Sequence, residues 1–419
     1  MSNEIIQSVR GMRTLKGVNF NNFKNVIDIS SRIAKEFNYQ GIELPIVEHS
    51  EVFHKTLGDT SEIIEKEIYN FTDKGGKSLT LRPEFTAGIM REYIESKSYK
   101  TNTPYKYFSY GPAFRYNRPQ TGRYRQFYQI NFEHIGYQDD FFDAEIIHLA
   151  FSILKELKIN NVTLELNSLG CKESRANYKN IISTYFQKYK QDLSLENQKK
   201  IDKNPIGILD SKQCSDQELI VNAPKIEESY TKSSYLYFDK IKKYLSLLNI
   251  DFKINPYLVR GLDYYSNIIF EFKTNISSQQ NTLIGGGRYD DLATIMGHQS
   301  TPSVGCAGGI DRIANMINDQ ISILDPNSCV IIPISKEFNE ISILLAKKLR
   351  DSKIKVMLDF MSDIGKQILR AANSNIKFAI FIGEEELRRN QYKVKNLITK
   401  EEERIPFHNI FAIFENNNK

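Results

Sequence analysis

YKYFSYGPAFRY at 105–116 is followed by the loop NRPQTGR and by the run YRQFYQINFEHIG at 124–136. This stretch decides the predicted architecture. Both runs are long and rich in aromatic and other β-prone residues, and the loop between them contains turn formers and two arginines. This pattern predicts a large antiparallel hairpin with a charged tip.

The second strand of this hairpin has two different faces, because residues two apart in a strand share a face. One face carries Tyr128, Ile130 and Phe132, and the other carries Arg125, Phe127, Gln129, Asn131 and Glu133. The first face is predicted to pack, and Arg115 of the preceding strand adds a cation to the second. A solvated polar face is the ordinary alternative, but the density of aromatic residues and the alignment with an arginine favour a binding surface.

The elements around the hairpin predict a mixed α and β core. Apolar residues at helical spacing predict a helix over 23–37, and GIELPIV at 41–47 is typical of a strand, although Pro45 suggests an edge or an irregularity. TLRPEFTAG at 80–88 indicates a strand end, a turn and a helix start. TLELNSL at 163–169 alternates like another strand.

The second half of the chain changes character twice. Residues 172–256 are rich in Lys, Asn and Ser and lack a strand pattern, so they predict a small helical insertion. The core then resumes, and residues 329–419 follow a β-α-β-α-β order that predicts a separate α/β domain with parallel strands.

Composition excludes several classes of protein. The 419 residues are 41% hydrophobic and 26% charged, which is typical of globular domains and argues against a disordered, collagen-like or disulfide-stapled chain. The net charge of +5 indicates a nucleic-acid partner only weakly. The four cysteines are scattered and are expected to be reduced. With no signal peptide or membrane-length apolar run, we expect a cytoplasmic protein without membrane contact.

Two further segments are ambiguous when each is taken alone. LVRGLDYY at 258–265 could be a turn followed by a core strand, and GGGRYDDL at 285–292 could be an ordinary glycine-rich turn. The glycines would also let a ligand approach the backbone. The usual phosphate-loop and dinucleotide fingerprints are missing, so arginines on a β scaffold would have to hold any ATP phosphates.

Taken together, these motifs resemble a known family. FRYNRPQTGRYRQFYQ at 114–129 and GCAGGIDRI at 305–313 resemble motifs 2 and 3 of class II aminoacyl-tRNA synthetases, and the helix at 23–37 resembles motif 1. The segments 258–265 and 285–290 resemble the two histidine-specific motifs of the histidyl-tRNA synthetase family. The resemblance covers essentially the whole chain.

The resemblance implies a fold and a domain order. The expected fold is an α+β catalytic core on an antiparallel sheet, with a helical insertion and a C-terminal α/β anticodon-binding domain. The domains would be the core in two parts at 1–171 and 257–322, the insertion at 172–256 and the anticodon-binding domain at 328–419.

The resemblance also implies an activity, that of a histidine–tRNA ligase. ATP with Mg²⁺ would activate histidine to histidyl-adenylate with release of pyrophosphate, and the histidyl group would pass to the 3′ end of tRNA(His). No dedicated protein site would hold the metal. The resemblance further implies a homodimer.

The family pattern assigns roles to individual residues by resemblance. The catalytic residues would be Arg115, Arg260 and Arg312. Histidine would be bound by Glu84, Thr86, Gln129, Glu133, Tyr264, Tyr265 and Tyr289. ATP would be bound by Arg115, Asn117, Arg123 and Arg312, and the tRNA acceptor end by Arg118 and Gln120.

This sequence departs from the family pattern at four positions. Asn117 stands where motif 2 usually has an acidic residue that helps to read the adenine amino group, and an amide carbonyl could still accept that bond. Phe85 and Asp291 each replace a glycine, and Thr14 replaces an aspartate.

A different function also stays open: a non-catalytic histidine-sensing paralogue that regulates ATP-phosphoribosyltransferase. The arginines at 115, 260 and 312 and the C-terminal segment favour the ligase.

Overall fold

The computed structural model describes residues 6–57, 67–101, 105–118, 123–260, 264–274, 281–317, 325–359 and 363–415. The chain divides into two compact units, Met1–Ile317 and Asn318–Lys419, which are described one at a time. Among the described residues, no helix combines the length and the apolar character that crossing a membrane requires.

The first unit contains two sheets. Its strands are β1 (Gln40–Gly41), β2 (Val47–His49), β3 (Tyr69–Thr72), β4 (Ser78–Leu81), β5 (Tyr105–Phe114), β6 (Gln126–Ile135), β7 (Val162–Ser168), β8 (Lys253–Ile254), β9 (Ser266–Thr274), β10 (Thr282–Arg288) and β11 (Ser303–Gly309). The large sheet has the order β1-β5-β6-β11-β10-β9-β7-β8, and a small one has the order β2-β4-β3. The large sheet is antiparallel from β5 to β7, and its two edge pairs are parallel.

Helices cover the large sheet and form the insertion. They are α1 (Val18–Glu36), α2 (Ser50–Leu57), α3 (Thr86–Glu95), α4 (Asp140–Glu156), α5 (Lys172–Lys188), α6 (Leu195–Gln198), α7 (Cys214–Ile220), α8 (Lys232–Leu247), α9 (Leu292–Ile295) and α10 (Ile310–Met316). Short 3₁₀ turns lie at Ser98–Lys100, Lys190–Asp192, Ile206–Asp210 and Ile226–Ser229.

The predicted hairpin is present as β5 and β6, and its two faces differ as the alternation indicates. Ile130 and Phe132 of β6 are fully buried in a core that includes residues of α1, α4 and α8. Because this face is closed by helices, the polar side chains of β6 are directed to the opposite face of the sheet.

The strand predicted over 41–47 is wrong as a continuous element. The chain pairs with β5 at Gln40 and Gly41, adds one hydrogen bond from the N–H of Ile42 to the carbonyl of Phe108, and resumes strand structure at Val47. Pro45 lacks a backbone N–H, and Arg82 takes the place of a neighbouring strand. Its Nη1 donates to the carbonyl of Leu44 at 2.8 Å, and its backbone N–H donates to the carbonyl of Ile46 at 2.9 Å.

The segment 172–256 is helical, as its composition predicts, except for the short strand β8. Lys253 and Ile254 pair in parallel with Glu165 and Leu166 of β7 and so return the chain to the sheet. Two residues are too few for an alternating pattern to be visible in the sequence.

The second unit is an α/β domain. Its strands are β12 (Asp325–Pro333), β13 (Lys355–Leu358), β14 (Ile376–Ile382), β15 (Gln391–Asn396) and β16 (Glu402–Pro406), and its helices are α11 (Asn339–Asp351), α12 (Ile364–Asn373), α13 (Glu384–Arg389) and α14 (Ala412–Glu415). Further 3₁₀ turns lie at Lys336–Phe338 and Phe407–Asn409. The strand order is β13-β12-β14-β15-β16. The first three strands are parallel, as predicted, and β15 and β16 extend the sheet in antiparallel pairs.

Candidate active site

The floor of the candidate site is the face of the large sheet that carries the polar side chains of β6. Across β11 and β10, the neighbours of this row are nearly all glycine: Glu133 pairs with Gly305 and then Gly287, Asn131 with Ala307 and then Gly285, and Gln129 with Gly309. Two of these glycines leave space for functional side chains, since a Cβ at Gly305 would overlap the carboxylate of Glu133 and one at Gly285 would lie 2.6 Å from Nη1 of Arg260. The glycine motifs thus keep this surface open for charged groups.

Glu133 lies at the bottom of the site and is only 1% exposed. Thr86 Oγ1 donates to its Oε1 at 2.6 Å, and the hydroxyl of Tyr289 donates to its Oε2. Burial raises the pKa of the Glu133 carboxyl to about 8, despite these two donors, because burial penalises the ionised form. Burial therefore favours the protonated form of this carboxyl.

Glu84 lies beside it, in the turn before α3. Its carboxylate accepts hydrogen bonds from the backbone N–H groups of Thr86 at 2.6 Å and Ala87 at 2.9 Å, which satisfies the first turn of the helix. Burial raises the pKa of Glu84, while these N–H donors and the charge of Arg115 act in the opposite direction. The two carboxyl groups and Thr86 form one cluster suited to a cationic amine.

Three tyrosines form an aromatic wall next to Glu133. The ring centroid of Tyr264 lies 4.9 Å from that of Tyr265 and 5.7 Å from that of Tyr289. All three are buried, and burial raises the pKa of each phenol, so they remain neutral hydrogen-bonding groups. Such a wall can pack against a flat ring and offer it hydroxyl groups.

Arginines converge at the other end of the site. Arg115 Nε donates to the carbonyl of Pro83 at 3.0 Å, and Arg312 Nη1 donates to the carbonyl of Thr282 at 2.8 Å. Burial is the main cause that lowers the pKa of Arg312, and the positive charges of Arg115, Arg123 and Arg260 lower it further. Mutually repelling guanidinium groups on a partly buried surface indicate a site for a polyanion, whose phosphates take paired N–H donors.

Arg260 is held in this group by a partly buried acidic residue that sequence reasoning missed. Its Nη1 donates to Oε1 of Glu271, and Lys273 Nζ lies 3.2 Å from Oε2 of the same carboxylate. The charge of Glu271 raises the pKa of Arg260 against the effect of burial. Alternation along FEFK places Glu271 and Lys273 on one face of β9, but it does not identify which arginine they meet.

The loop of the hairpin carries the remaining predicted residues. Asn117 is buried, whereas Arg118 is exposed and Arg123 is about two-fifths exposed. Gln120 lies outside the described residues. Glu67 is a second acidic residue that sequence reasoning missed, and its Oε1 lies 3.9 Å from Nη2 of Arg123.

Two polar atoms on the floor have no protein partner. Oε1 of Gln129 and Nδ2 of Asn131 are both shielded from solvent without a hydrogen bond in the structure. A buried polar atom without a partner is costly, so these atoms are suited to a bound substrate. Gln129 was predicted as a site residue, whereas Asn131 was placed only on the polar face.

Two departures from the family pattern have structural roles. The Phe85 ring is 1% exposed and lies 4.0 Å from the Arg82 guanidinium, which it helps to hold. Asp291 pairs with Arg175 of α5 at 3.4 Å, and Nη1 of Arg175 donates to the carbonyl of Tyr265 at 2.6 Å. Both substitutions therefore support elements of the site without entering it.

Arg288 of the glycine-rich motif lies on the helix-covered face of the sheet, opposite the candidate site. Its Nη2 donates to Oδ2 of Asp143 at 2.8 Å, and both residues are buried where β10 contacts α4.

Among the described residues, no three His, Cys, Asp or Glu side chains form a group that could hold a metal ion. Cys171, Cys214, Cys306 and Cys329 are free thiols.

Comparison with known proteins agrees with this geometry. A family model described as histidyl-tRNA synthetase matches residues 11–313, well over half of the chain. The chain belongs to the histidyl-tRNA synthetase family. A second model, described as an anticodon binding domain, matches residues 328–417.

Similar proteins extend this match to the full length. The histidine–tRNA ligase of Orientia tsutsugamushi (strain Boryong) is 42% identical over 419 residues, which are 98% of this chain and 99% of the relative. That of Wolbachia pipientis subsp. Culex pipiens (strain wPip) is 45% identical over 400 residues, 95% of this chain and 97% of the relative. The crystal structure of apo Staphylococcus aureus histidyl-tRNA synthetase is 29% identical, with a TM-score of 0.81, and the match covers 98% of this chain and 100% of that chain.

These findings confirm three predictions for this member of the family: the family itself, the class II synthetase-like fold and the activity of a histidine–tRNA ligase. The regulatory paralogue is less supported, because the full-length relatives are ligases. The roles of individual residues stay predictions.

Proposed function

We propose that this histidine–tRNA ligase binds ATP with Mg²⁺ against the arginine cluster and histidine against the tyrosine wall. The observation that carries the proposal is the juxtaposition of these two surfaces on one glycine-lined floor. A polyanion at Arg115, Arg260 and Arg312 and an amino acid at Glu133 would meet above the glycine-rich strands.

Adenylation joins the histidine carboxylate to the α-phosphorus of ATP and releases pyrophosphate. Negative charge grows on the non-bridging α-oxygens and on the leaving group, so positioned cations lower the barrier. Arg115 and Arg260 would stabilise the α-phosphate, and Arg312 and Arg123 the outer phosphates. Mg²⁺ would arrive with ATP and screen its β- and γ-phosphates.

Histidine recognition would use one set of residues for the α-amino group and another for the imidazole ring. Glu84, Thr86 and Gln129 would receive the α-amino group, for which the cluster offers several oxygen acceptors. Glu133, Tyr264, Tyr265 and Tyr289 would face the imidazole, which carries one donor and one acceptor when neutral. An amino acid without these ring nitrogens would leave buried polar groups unpaired, which lowers its reactivity strongly.

The tRNA would contact the protein at two places. Arg118 is exposed and, with Gln120, would approach the acceptor end, while residues 328–419 would bind the anticodon.

The domains would be the core at 1–171 and 257–322 and the insertion at 172–256. A homodimer in the cytoplasm completes the proposal, with the exposed apolar side chains Val18 and Phe20 of α1 near the interface.

The experiment that tests this function is charging of tRNA by the purified full-length chain. Radiolabelled histidine should become acid-precipitable with tRNA(His) and ATP, and a matched reaction with a different tRNA should give background counts. A protein that binds histidine but leaves tRNA(His) uncharged under all ATP and Mg²⁺ concentrations would favour the regulatory paralogue instead.

A further inference from the structure

The carboxylate of Glu67 faces the side-chain amide of Asn117, and only the orientation with the amide nitrogen toward Glu67 satisfies both groups. With its nitrogen toward Glu67, Asn117 donates to Oε2 at 3.2 Å and also contacts Oε1. In the opposite orientation the amide oxygen would face only acceptors. Asn117 is 8% exposed, so few water molecules can compete for this contact.

Glu67 is itself fixed to the same loop. Its backbone carbonyl accepts a hydrogen bond from the N–H of Tyr116 at 2.6 Å, and Tyr69 packs edge-to-face on Tyr116 with ring centroids 5.6 Å apart. The Glu67 side chain is 15% exposed, and Arg123 lies nearby. The carboxylate therefore lies beside Asn117 and 3.9 Å from Arg123.

The contact with Glu67 matters because an amide, unlike a carboxylate, can both donate and accept hydrogen bonds. A carboxylate only accepts hydrogen bonds, whereas an asparagine accepts through its oxygen and donates through its nitrogen. A rotating amide would accept from the 6-amino group of adenine in one orientation and donate to the 6-oxygen of guanine in the other. Asparagine at 117 is thus ambiguous toward purines unless something fixes its orientation.

We infer that Glu67 is a positioning residue that determines which purine nucleotide the site accepts. By engaging the amide nitrogen, it leaves the carbonyl oxygen of Asn117 as the group presented to the base. The site then takes a 6-aminopurine and rejects a 6-oxopurine. This inference rests on the proposed ATP site.

The decisive variant is Glu67→Gln, whose side-chain amide can either accept from or donate to Asn117, so it removes the preference that the carboxylate of Glu67 imposes on the orientation of Asn117. The readout is histidine-dependent exchange of labelled pyrophosphate into ATP and, separately, into GTP. We expect the ratio of the two kcat/KM values to fall by about tenfold, the effect of one well-placed hydrogen bond. Glu95→Gln, on an exposed residue paired with Arg91, is the matched control and should keep the ratio.

Two further variants separate positioning from a general structural role. Asn117→Ala should lower the ratio by itself, and adding Glu67→Gln to it should change nothing more. Glu67→Gln with Asn117→Glu should restore the ratio, because an acceptor-only side chain needs no fixing.

Equal losses with both nucleotides at an unchanged ratio, or full discrimination in Asn117→Ala, would overturn the inference. Absence of exchange with ATP in the unmodified protein would instead contradict the proposed function.

Discussion

Gly305 of β11 leaves the space that the carboxylate of Glu133 occupies on β6, since a Cβ at position 305 would overlap it. We expect Gly305→Ala to displace Glu133 from Thr86 and Tyr289. A hydrogen bond to a neutral group contributes about 0.5–1.5 kcal/mol, so losing the two that position Glu133 should raise the KM for histidine by roughly tenfold while the KM for ATP changes little.

Gly309→Ala is the control for this prediction. It lies on the same strand, and the nearest atom to an added Cβ there is Cβ of Arg312 at 3.7 Å, an ordinary contact distance. Similar histidine KM values for the two variants would show that the position of Glu133 does not govern histidine binding.

Glu133 should also make stability depend on pH. Its carboxyl has a pKa of about 8 in the folded protein, against an ordinary value of 4.5. The folded state therefore binds more protons than the unfolded state between these values, and its contribution to stability falls as pH rises from about 4.5 to 8. The slope approaches about 1.4 kcal/mol for each pH unit.

Glu133→Gln removes this titration. Chemical denaturation at several pH values should show a flatter profile for the variant than for the parent, with Asp143, whose pKa is raised to about 6, contributing equally to both. Parallel profiles between pH 6 and 8 would mean that Glu133 does not carry its proton in the folded state.

Arg260 and Glu271 allow a catalytic loss to be distinguished from a structural one. Arg260→Ala removes a preorganised cation, so adenylation should fall by roughly 10²-fold or more. Among the described residues it also leaves Glu271 with Lys273 as its one ion-pair partner, which should lower the melting temperature.

Adding Glu271→Gln to Arg260→Ala should recover the melting temperature without recovering adenylation. Recovery of both would assign Arg260 a purely structural role. Single-turnover formation of the adenylate is the appropriate rate measurement, because it isolates the first step.

Removing residues 325–419 should affect the two half-reactions differently. The first unit has its own apolar cores, separate from those of the second. Adenylation should survive, whereas transfer to tRNA should fall by a much larger factor, because the proposed anticodon contacts would be lost. Equal losses in both assays on the same preparation would indicate that the second unit only maintains the fold.

The local pattern was sufficient to predict the hairpin, its two faces and the helical insertion. Alternation in β6 correctly separates Gln129 and Glu133 from Ile130 and Phe132, because strand periodicity is a local property. The break after Gly41 was not predictable in detail, since it depends on Arg82, a residue distant in sequence that bonds to Leu44.

Site residues that lie outside the recognised motifs could not be predicted from the sequence. Glu271 lies in a strand whose apolar neighbours resemble core, and Glu67 lies outside every motif, so neither has a local signal for its contact with Arg260 or Asn117. Arg288 shows the opposite case. It belongs to a glycine-rich motif, yet its side chain pairs with Asp143 away from the cavity.

In the proposed function, histidine and ATP react on the glycine-lined floor between the tyrosine wall and the arginine cluster. Exchange of labelled pyrophosphate into ATP by the full-length protein measures this reaction without tRNA. We expect exchange that requires histidine and is reduced at least about 10²-fold in Arg260→Ala. Exchange that is absent with histidine, or equally fast with another amino acid, would contradict it.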